Sequence, residues 1–559
     1  MSTWPMPSAL DSRTQSFPML TPAQIDRIRP ESKSRMVKTG ELLFEPGDTN
    51  VPFFVLLSGA MEIIQPTLRG EIEIVSHVPG EFTGEISMIS GQRCLVRGRV
   101  IEPGEFLELS NDALRNLVAR DAELSEIFMR AFILRRIALI SRGLGNVVLM
   151  GSHHSADTLR LREFLSRNGY PYTFIDLDTD TASQDLLDRF QVKMSDIPVV
   201  ICNARDVLRN PSTQKLADCL GLNASINTTQ IRDVVIVGAG PAGLAAAVYA
   251  ASEGLDSLIL EAEAPGGQAG SSSKIENYLG FPTGISGQEL AARAMTQAQK
   301  FGAKLMVGHS VVQLDCSRSP YRVFLDSGET IATRAIIIST GAQYNKPAIA
   351  NLKKFEGLGI YYGATYIESQ LCGADEVIVV GGGNSAGQAA VYLSQTATKV
   401  HMLIRSGNLS ATMSRYLIQR VNENPKIEIN YRTEIVALEG DKRLESVSWR
   451  DNETGQTSIH DIHHVFIMAG ASPRTDWLQH CVVLDKNGFI LTGRDLDHLN
   501  DPSSMSSWKL DREPFMLETS LPAVFAVGDV RSGNVKRVAS AVGEGSIAVY
   551  LVHRALAAI

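Results

Sequence analysis

The chain has 559 residues, which is enough for roughly three to five domains with separate cores. Apolar residues make up 44% and charged residues 20%, as in folded globular proteins. The net charge of −8 argues against a nucleic-acid partner, because such proteins concentrate excess lysine and arginine on one face. Neither a signal peptide nor a run of about eighteen apolar residues is recognisable, so we expect no membrane partner and a cytoplasmic location.

The order of sequence patterns predicts several domains. Short alternating runs with glycine turns predict a β-roll before residue 110, and helical spacing follows. A smaller unit of alternating strands and helices comes next, and a polar connector leads to a long α/β pattern. We therefore expect an α/β protein overall, with domains at 1–142, 143–224, 230–345, 346–469 and 470–559.

A first glycine loop follows the predicted strand 234–237 and precedes a predicted helix. Gly238 permits a tight turn, Gly240 lets a pyrophosphate approach the backbone, and Gly243 allows close helix packing. Glu261 ends the next predicted strand, where a carboxylate accepts hydrogen bonds from ribose hydroxyls. This order of elements predicts a dinucleotide site.

A second loop carries Gly381 and Gly383, with Ala386 at the third position of the pattern. The following strand ends in Arg405 instead of an acid, which suits a 2′-phosphate and favours NADPH over NADH. A solvated charge at the strand end is the open alternative for Arg405.

From about residue 233 to 559 the chain resembles the low-molecular-weight thioredoxin reductases. The resemblance runs through both loops, Gly266 to Gln268, 339–341, 525–529 and 537–539. It implies two Rossmann-like dinucleotide-binding domains and a homodimer. By resemblance, FAD would be bound by Gly238, Gly240, Gly243, Glu261, Gly267, Gln268, Asn277, Gly341, Gly528, Asp529, Arg537, Val538 and Ala539. NAD(P) would be bound by Gly381, Gly383, Asn384, Ser385, Ala386 and Arg405.

The chain departs from that family at the redox centre. The family's CxxC falls on Ala364 to Ile367, so both thiols of the dithiol relay are missing. Cys372 lies nearby as either a lone redox thiol or, as we favour, an inert packed side chain. Ser406 and Ser410 stand where the family's nicotinamide-binding signature has further arginines. The six scattered cysteines indicate neither a disulfide framework nor a metal site.

Residues 147 to about 222 resemble a thioredoxin or glutaredoxin fold, with Pro198 at the position of its cis-proline. The active-site turn reads Ser152 to Ser155, without cysteine. Disulfide exchange at this turn is therefore excluded, and we expect a docking or scaffold module. His153 and His154 are either ligands for a metal or partner, or solvated side chains.

The N-terminal region resembles a cyclic-nucleotide-binding domain through Gly84, Glu85 and Arg93. In that family the glutamate holds the ribose hydroxyl and the arginine pairs with the cyclic phosphate. Cys94 replaces the usual serine or alanine, and Gln92 the expected proline. A working nucleotide sensor and a barrel without ligand remain open alternatives.

Together these patterns predict an FAD-dependent NAD(P)H oxidoreductase whose flavin passes electrons directly to a small molecule or a redox protein. A quinone, a small disulfide, a flavodoxin or ferredoxin, and dioxygen all fit as acceptors. The alternative is a redox or ligand sensor without steady turnover, because both cysteine pairs are missing while a domain-rotation architecture is retained.

Overall fold

The structure, a computed structural model, describes residues 15–558 except 68–69, 86, 91, 142–146, 154, 179–195, 203–205, 224–225, 365, 442, 479, 499–507 and 509. The chain divides into two compact units. The first unit comprises residues 1–153 together with residues 164–227 and 296–308. The second unit comprises residues 154–163, 228–295 and 309–559. Within the described ranges, no helix combines the length and apolar character needed to cross a membrane.

The first unit begins with a β-roll of two sheets. One sheet has the order β1-β7-β3 and the other β2-β6-β4-β5. Its core contains mutually packed rings of Phe53, Phe82, Phe128 and Phe132. The strands are β1 Lys33–Val37, β2 Leu42–Phe44, β3 Phe53–Leu56, β4 Ala60–Thr67, β5 Gly70–His77, β6 Arg97–Glu102 and β7 Gly104–Leu109. The helices are α1 Pro22–Ile28, α2 Ser87–Ser90, α3 Asn111–Arg120 and α4 Ala122–Ser141.

A smaller sheet follows, in the order β11-β10-β8-β9. Strands β8 and β9 are parallel, whereas β10 is antiparallel to both β8 and β11. The Ile197–Pro198 peptide is cis. The helix expected at 184–190 lies outside the described residues. The strands are β8 Val147–Gly151, β9 Thr173–Asp176, β10 Val199–Cys202 and β11 Asp206–Arg209, and the helices are α5 Ala156–Arg167 and α6 Thr213–Leu220.

The second unit contains a parallel sheet assembled from two separate parts of the chain. Strand β12 (Arg232–Val237) lies between β13 (Ser257–Glu261) and β17 (Thr330–Ile338) in parallel pairings. Near the C-terminus, β28 (Val524–Ala526) adds a parallel partner to β17. Along the chain between β12 and β17, the other elements are α7 Pro241–Ser252, α8 Gly267–Gly270, α9 Gly287–Lys300, β14 Lys304–Val307, β15 Val311–Asp315 and β16 Tyr321–Leu325.

The C-terminal helix α14 (Val538–Ala557) packs closely on α7. A Cβ at Gly545 would lie 2.2 Å from the carbonyl oxygen of Ala242, so only glycine permits this approach. The last part of the chain therefore completes the domain that carries the first glycine loop.

A second parallel sheet is inserted between those two parts. Its order is β19-β26-β20-β21-β22, and β23-β24-β25 form a separate antiparallel sheet. The chain enters along β18 (Ala342–Tyr344) and leaves along β27 (Ala471–Pro473), which pair antiparallel. The other elements are α10 Leu352–Phe355, β19 Ile360–Tyr361, α11 Tyr366–Leu371, β20 Glu376–Val380, α12 Asn384–Leu393, β21 Lys399–Ile404, α13 Arg415–Glu423, β22 Ile427–Tyr431, β23 Thr433–Glu439, β24 Ser446–Asp451, β25 Thr457–His460 and β26 His464–Ile467.

One disulfide joins Cys316 to Cys481. The scattered spacing of the cysteines, from which we expected no disulfide framework, gave no indication of this single bond. The two residues are 165 positions apart, and only the return of the chain after the inserted sheet brings Cys481 next to the end of β15. The other cysteines, Cys94, Cys202, Cys219 and Cys372, are free thiols.

Candidate functional site

The first glycine loop forms an open cradle between β12 and α7. Gly238 has φ +103°, and a Cβ there would lie 2.4 Å from the carbonyl oxygen of Ser339. At Gly243 a Cβ would lie 1.9 Å from the carbonyl oxygen of Gly238. At Gly240, the N-cap of α7, a Cβ would meet nothing within 4 Å. The loop thus leaves open space at the helix N-terminus, where a pyrophosphate fits.

Glu261 lies over this loop at the end of β13. Its carboxylate accepts hydrogen bonds from the backbone N–H of Ala239 at 2.7 Å and of Glu263 at 3.0 Å. These bonds fix the carboxylate beside the cradle. The position fits the ribose of a bound dinucleotide.

Several of the other expected FAD residues also border the loop. Gly267 has φ +53°, and a Cβ there would lie 3.1 Å from the Cα of Gly240. Gly528 has φ +72°, a Cβ there would lie 3.0 Å from the Cβ of Ala242, and its N–H donates to Glu544 at 2.7 Å. Burial raises the pKa of the neighbouring Asp529 carboxyl.

The remaining positions are arranged as follows. Gly341 has φ +65° and open space at its Cβ position. Arg537 is the exposed N-cap of α14, directly before Val538. Asn277 and Ala539 are exposed, and so is Gln268 in α8. The open space at Gly341 and the N-terminus of α14, which has no side-chain cap, leave room for FAD.

The second glycine loop repeats this geometry between β20 and α12. Gly381 has φ +139°, and a Cβ there would lie 2.5 Å from the carbonyl oxygen of Met468. Gly383 caps α12, and Ala386 is fully buried beneath the turn. The Asn384 side-chain oxygen accepts a hydrogen bond from the Ser414 N–H at 2.8 Å. The loop therefore has the form of a dinucleotide cradle.

Two guanidinium groups lie at the end of the neighbouring strands. Arg405 is exposed directly after β21 and makes no ion pair within the described part of the chain. Arg432, which sequence reasoning missed, follows β22 and packs its guanidinium against Gly407 while pairing with Glu453. Because β21 and β22 are parallel, their carboxyl ends meet at one edge. Two cations at this edge suit a 2′-phosphate.

Tyr344 is a second residue that sequence reasoning missed. It ends β18, and its hydroxyl lies close to Ser385 in the second loop. Burial raises the pKa of the Tyr344 phenol, and the negative charge of Asp529 raises it further. Tyr344 therefore connects the second loop to the neighbourhood of the first nucleotide site. No sequence motif marks it.

Cys372 lacks the properties of a redox thiol. It is fully buried, and its thiol donates to the carbonyl oxygen of Glu368 at 3.1 Å. Burial raises the pKa of this thiol, and the carboxylates of Glu368 and Asp375 raise it further. Ala364 is buried, whereas Thr365 and the side chains of Tyr366 and Ile367 lie outside the described part of the structure.

The N-terminal roll encloses a cavity of about 640 Å³ lined by Gly84, Glu85 and Cys94. The Glu85 carboxylate accepts from the Ser87 N–H at 3.1 Å and pairs with Arg136 at 3.4 Å. Burial raises the pKa of the Cys94 thiol to about 12. Three of the four expected nucleotide residues therefore line one cavity.

A buried arginine, Arg135 of α4, also lines this cavity. Only 7% exposed, it donates to the carbonyl oxygens of Ser16 and Gly84 at 2.8 Å each. Its Nη2 has no hydrogen-bond partner among the described residues. The guanidinium lies between the rings of Phe17 and Phe82, and burial lowers its pKa to about 9.

Arg93, in contrast, is not among the residues that line the cavity. Its side chain lies against Gly221, so closely that a Cβ there would be 2.6 Å from Cδ and Nε of the arginine. Packing against the end of α6 therefore turns Arg93 away from the position that sequence analysis expected.

Comparisons with known proteins agree with this geometry. Residues 232–545 match the family described as pyridine nucleotide-disulphide oxidoreductase, and residues 34–121 match the cyclic nucleotide-binding domain. Thioredoxin reductase of Listeria innocua is 31% identical over 320 residues, 57% of this chain and 92% of that protein. Thioredoxin reductase of Bacillus subtilis is 32% identical over 324 residues, 58% and 94% of the two chains.

Two solved structures are similar to the second unit's part of the chain. Lactococcus lactis thioredoxin reductase in its FR conformation gives a TM-score of 0.52 at 27% identity, covering 59% of this chain and all of that one. T. acidophilum thioredoxin reductase gives 0.51 at 30% identity, with 58% and 98% covered.

Two dinucleotide cradles on parallel sheets, one domain inserted in the other, define an oxidoreductase with two nucleotide cofactors. The chain belongs to the pyridine nucleotide-disulphide oxidoreductase family and is thioredoxin reductase-like. The predicted α/β fold, with an N-terminal cyclic nucleotide-binding domain, is confirmed. FAD and NADPH are the cofactors of this kind of enzyme.

Proposed function

We propose that the chain is an FAD-dependent NADPH oxidoreductase that passes electrons from the flavin to an external acceptor without a dithiol relay in the inserted domain. The observation that carries this function is the combination of two open glycine cradles with a buried, carbonyl-bonded Cys372. FAD, when bound, supplies hydride acceptance from the nicotinamide and onward electron transfer.

The side chains have separate tasks in this scheme. The loop at Gly240 and the α7 N-terminus hold the FAD pyrophosphate, and Glu261 holds a ribose. Asp529 and the N-terminus of α14, with Arg537, Val538 and Ala539, orient the flavin end. Gln268, Asn277 and the glycines at 267, 341 and 528 border the same cofactor.

The second loop binds the nicotinamide dinucleotide. Gly381 and Gly383 form the turn, Asn384 and Ser385 start the helix that faces the pyrophosphate, and the buried Ala386 lies in that helix beneath the turn. Arg405 and Arg432 take the 2′-phosphate of NADPH, which distinguishes it from NADH. Tyr344, whose hydroxyl lies close to Ser385, positions that residue.

The acceptor reacts with the flavin instead of a protein dithiol. Alanine and isoleucine occupy the two cysteine positions, and Cys372 is held as a neutral thiol by burial. A quinone, a small disulfide, dioxygen or a redox protein all fit this chemistry. We further propose a cytoplasmic homodimer with the domain boundaries given above.

The α/β unit at 143–224 serves as a thioredoxin-like docking module. Its sheet order and its cis Ile197–Pro198 peptide support this assignment. The former active-site turn is closed by polar contacts, since His153 Nδ1 lies 2.7 Å from Asp176 and the Ser152 hydroxyl donates to Asp178 at 2.7 Å. These contacts favour a structural role over metal binding for His153.

The N-terminal domain regulates the enzyme by binding a nucleotide in the cavity beside Gly84, Glu85 and Cys94. The free Nη2 of Arg135 supplies the positive charge toward the phosphate that Arg93 was expected to supply. A ligand changes turnover only through different affinities for two conformations.

Anaerobic stopped-flow absorbance tests the central function. The purified holoenzyme is mixed with NADPH or NADH, and the flavin band is followed. Rapid bleaching by NADPH, and slower bleaching by NADH at equal concentration, is expected. No bleaching by either, with FAD bound, would contradict the enzymatic role and favour the sensor.

Isothermal calorimetry with cyclic AMP and cyclic GMP tests the regulatory site. Arg135→Gln is expected to weaken binding about tenfold or more, because a charge-assisted hydrogen bond contributes about 1.5–3 kcal/mol. Arg93→Gln is the matched variant, and binding by it is expected to be unchanged. Loss of binding in Arg93→Gln but not in Arg135→Gln would mean that Arg93 contacts the phosphate, as the sequence predicts.

A further inference from the structure

One carboxylate holds both ends of the turn that carries Asp529. Glu544 lies in α14, and its Oε2 accepts a hydrogen bond from the backbone N–H of Gly528 at 2.7 Å. Its Oε1 accepts hydrogen bonds from the Arg531 side chain, from Nε at 3.1 Å and also from Nη2. The backbone N–H of Arg531 donates to the carbonyl oxygen of Gly528 at 3.0 Å. The turn from 528 to 531 is therefore closed by its own backbone and joined to α14 through a single side chain.

The ion pair between Glu544 and Arg531 is largely shielded from solvent. The Arg531 side chain is 17% exposed and the Glu544 side chain 13%. Arg531 Nη1 also donates to the carbonyl oxygen of Ser532 at 2.9 Å. A desolvated charge needs such partners, because an unpaired one strongly destabilises the fold. Loss of either side chain would therefore leave the other charge uncompensated.

The helix that carries Glu544 is itself packed against the helix of the first glycine loop. Gly545, the next residue of α14, lies so close to α7 that a Cβ there would overlap the carbonyl oxygen of Ala242. A Cβ at Gly528 would lie 3.0 Å from the Cβ of the same alanine. The turn and α14 therefore approach α7 at one residue, and Glu544 joins the turn to α14.

We propose that Glu544, with Arg531 as its counter-ion, is a positioning residue that sets where the Asp529 carboxylate lies relative to a bound flavin. This role rests on the proposed function, in which Asp529 and the N-terminus of α14 orient the flavin end. Glu544 acts through the turn, because it fixes Gly528 on one side of Asp529 and Arg531 on the other. It takes no part in the transfer of hydride or electrons.

Other bonds keep the turn in place when the carboxylate is removed. The Ile490 N–H donates to the carbonyl oxygen of Val530 at 3.0 Å, and the Ser532 N–H donates to the carbonyl oxygen of Ile490 at 2.9 Å. These backbone bonds do not involve α14. Variants at position 544 are therefore expected to fold, with a change confined to how precisely Asp529 is held.

The FAD affinity of the full-length protein tests the role of the carboxylate. The protein is stripped of flavin and titrated with FAD to obtain the Kd. Glu544→Ala removes both acceptor oxygens and is expected to raise this Kd about tenfold or more. Glu544→Gln keeps a carbonyl oxygen for the Gly528 N–H and is expected to raise it only about threefold. An unchanged Kd in Glu544→Ala would overturn the positioning role.

A double-mutant cycle tests the part played by Arg531. Arg531→Gln leaves the Glu544 charge without its counter-ion, so the Kd for FAD is expected to rise at least as much as in Glu544→Gln. The double variant removes that charge as well and is expected to bind FAD more tightly than Arg531→Gln alone. Additive effects of the two substitutions would overturn the assignment of Arg531 as counter-ion.

Two local readouts separate positioning from general stability. Visible circular dichroism of the flavin at saturating FAD is expected to change in Glu544→Ala and to return toward the wild-type spectrum in Glu544→Gln. Hydrogen exchange of a peptide covering 528–531 is expected to become faster in Glu544→Ala, while exchange of a peptide covering β28 stays the same. Equal acceleration in both peptides would overturn the proposal, because Glu544 would then serve only the stability of the domain.

Glu289→Gln is the matched control. Glu289 is an exposed carboxylate of α9 that pairs with Arg293, and its loss is expected to leave the Kd for FAD and the dichroism spectrum unchanged. An effect as large as that of Glu544→Gln would overturn the specific role of Glu544. Bleaching of the wild-type flavin by NADPH is measured separately, so the proposed function and the positioning role can fail independently.

Discussion

The Tyr344 hydroxyl lies close to Ser385, so the strand that leaves the domain of the first glycine loop ends beside the second glycine loop. Tyr344 is also close enough to Asp529 for that charge to raise the pKa of its phenol. The Tyr344 side chain therefore lies near both candidate cofactor sites.

Tyr344→Phe is expected to raise the Kd for NADPH about fivefold, because removal of the hydroxyl close to Ser385 loses a polar interaction of about 1 kcal/mol. Rapid-mixing titration of flavin bleaching against NADPH concentration measures this change. Tyr392→Phe, which removes a hydroxyl that hydrogen-bonds Ser369, is the matched control. Equal effects of the two variants would remove the positioning role of Tyr344.

Arg405→Gln and Arg432→Gln are each expected to weaken NADPH binding about tenfold, because each guanidinium loses a charge-assisted bond to the 2′-phosphate. NADH binding is expected to stay the same, since NADH has no 2′-phosphate. The ratio of kcat/KM for the two nucleotides is the measurement. Arg450→Gln, an exposed arginine paired with Glu434, is the control. A parallel loss for NADH would indicate damage to the domain instead.

Gly240→Ala is expected to lower FAD affinity about tenfold or more while the apoprotein folds normally. The backbone at Gly240 has φ −68° and ψ −178°, which alanine adopts, and the new methyl group points into the open cradle. Flavin content and apoprotein melting temperature are measured together. Gly373→Ala, at an exposed turn without positive φ, is the control. Full flavin content in Gly240→Ala would show that the open space at Gly240 does not hold FAD.

The buried His77 predicts an acid-sensitive N-terminal domain. Burial lowers the pKa of His77 below its ordinary value of 6.5, although Glu81 at 2.9 Å opposes this effect and Arg135 adds to it. Below pH 6.5 the unfolded state therefore binds more protons than the folded state, and stability falls as the pH falls. The slope is at most about 1.4 kcal/mol per pH unit.

His77→Gln is expected to flatten this part of the pH dependence. Hydrogen exchange of the β3 amides at pH 7.5, 6.5 and 5.5 measures the local unfolding free energy. His463→Gln is the control, since His463 is partly exposed. A steeper loss of stability in His77→Gln would mean that His77 is charged in the folded domain.

The two nucleotide loops were predictable because their signal is local. At Gly238, Gly243 and Gly381 a Cβ would overlap a nearby backbone atom, and Gly238 and Gly381 follow directly after their strands. The strand and helix pattern on both sides is equally local. Sequence periodicity therefore predicted that these glycine turns lie between a strand and a helix, as they do.

The charged and cross-linked partners were not predictable, because their contacts join distant segments. Arg135 on α4 is held by the carbonyls of Ser16 and Gly84. Arg432 comes to the same sheet edge as Arg405 through the pairing of β21 with β22. Arg93 carries a family motif, yet packing against Gly221 moves it away from the cavity. Such tertiary contacts leave no pattern along the sequence.

The Cys316–Cys481 bond spans the entire inserted domain that carries the second glycine loop. Together with the backbone from 316 to 481 it closes a covalent ring that contains this domain. A single proteolytic nick inside the ring leaves the C-terminal segment, including α14, fastened to the rest of the FAD-type domain. The insertion is therefore a loop that can be cut open without releasing the segment that lies beyond it.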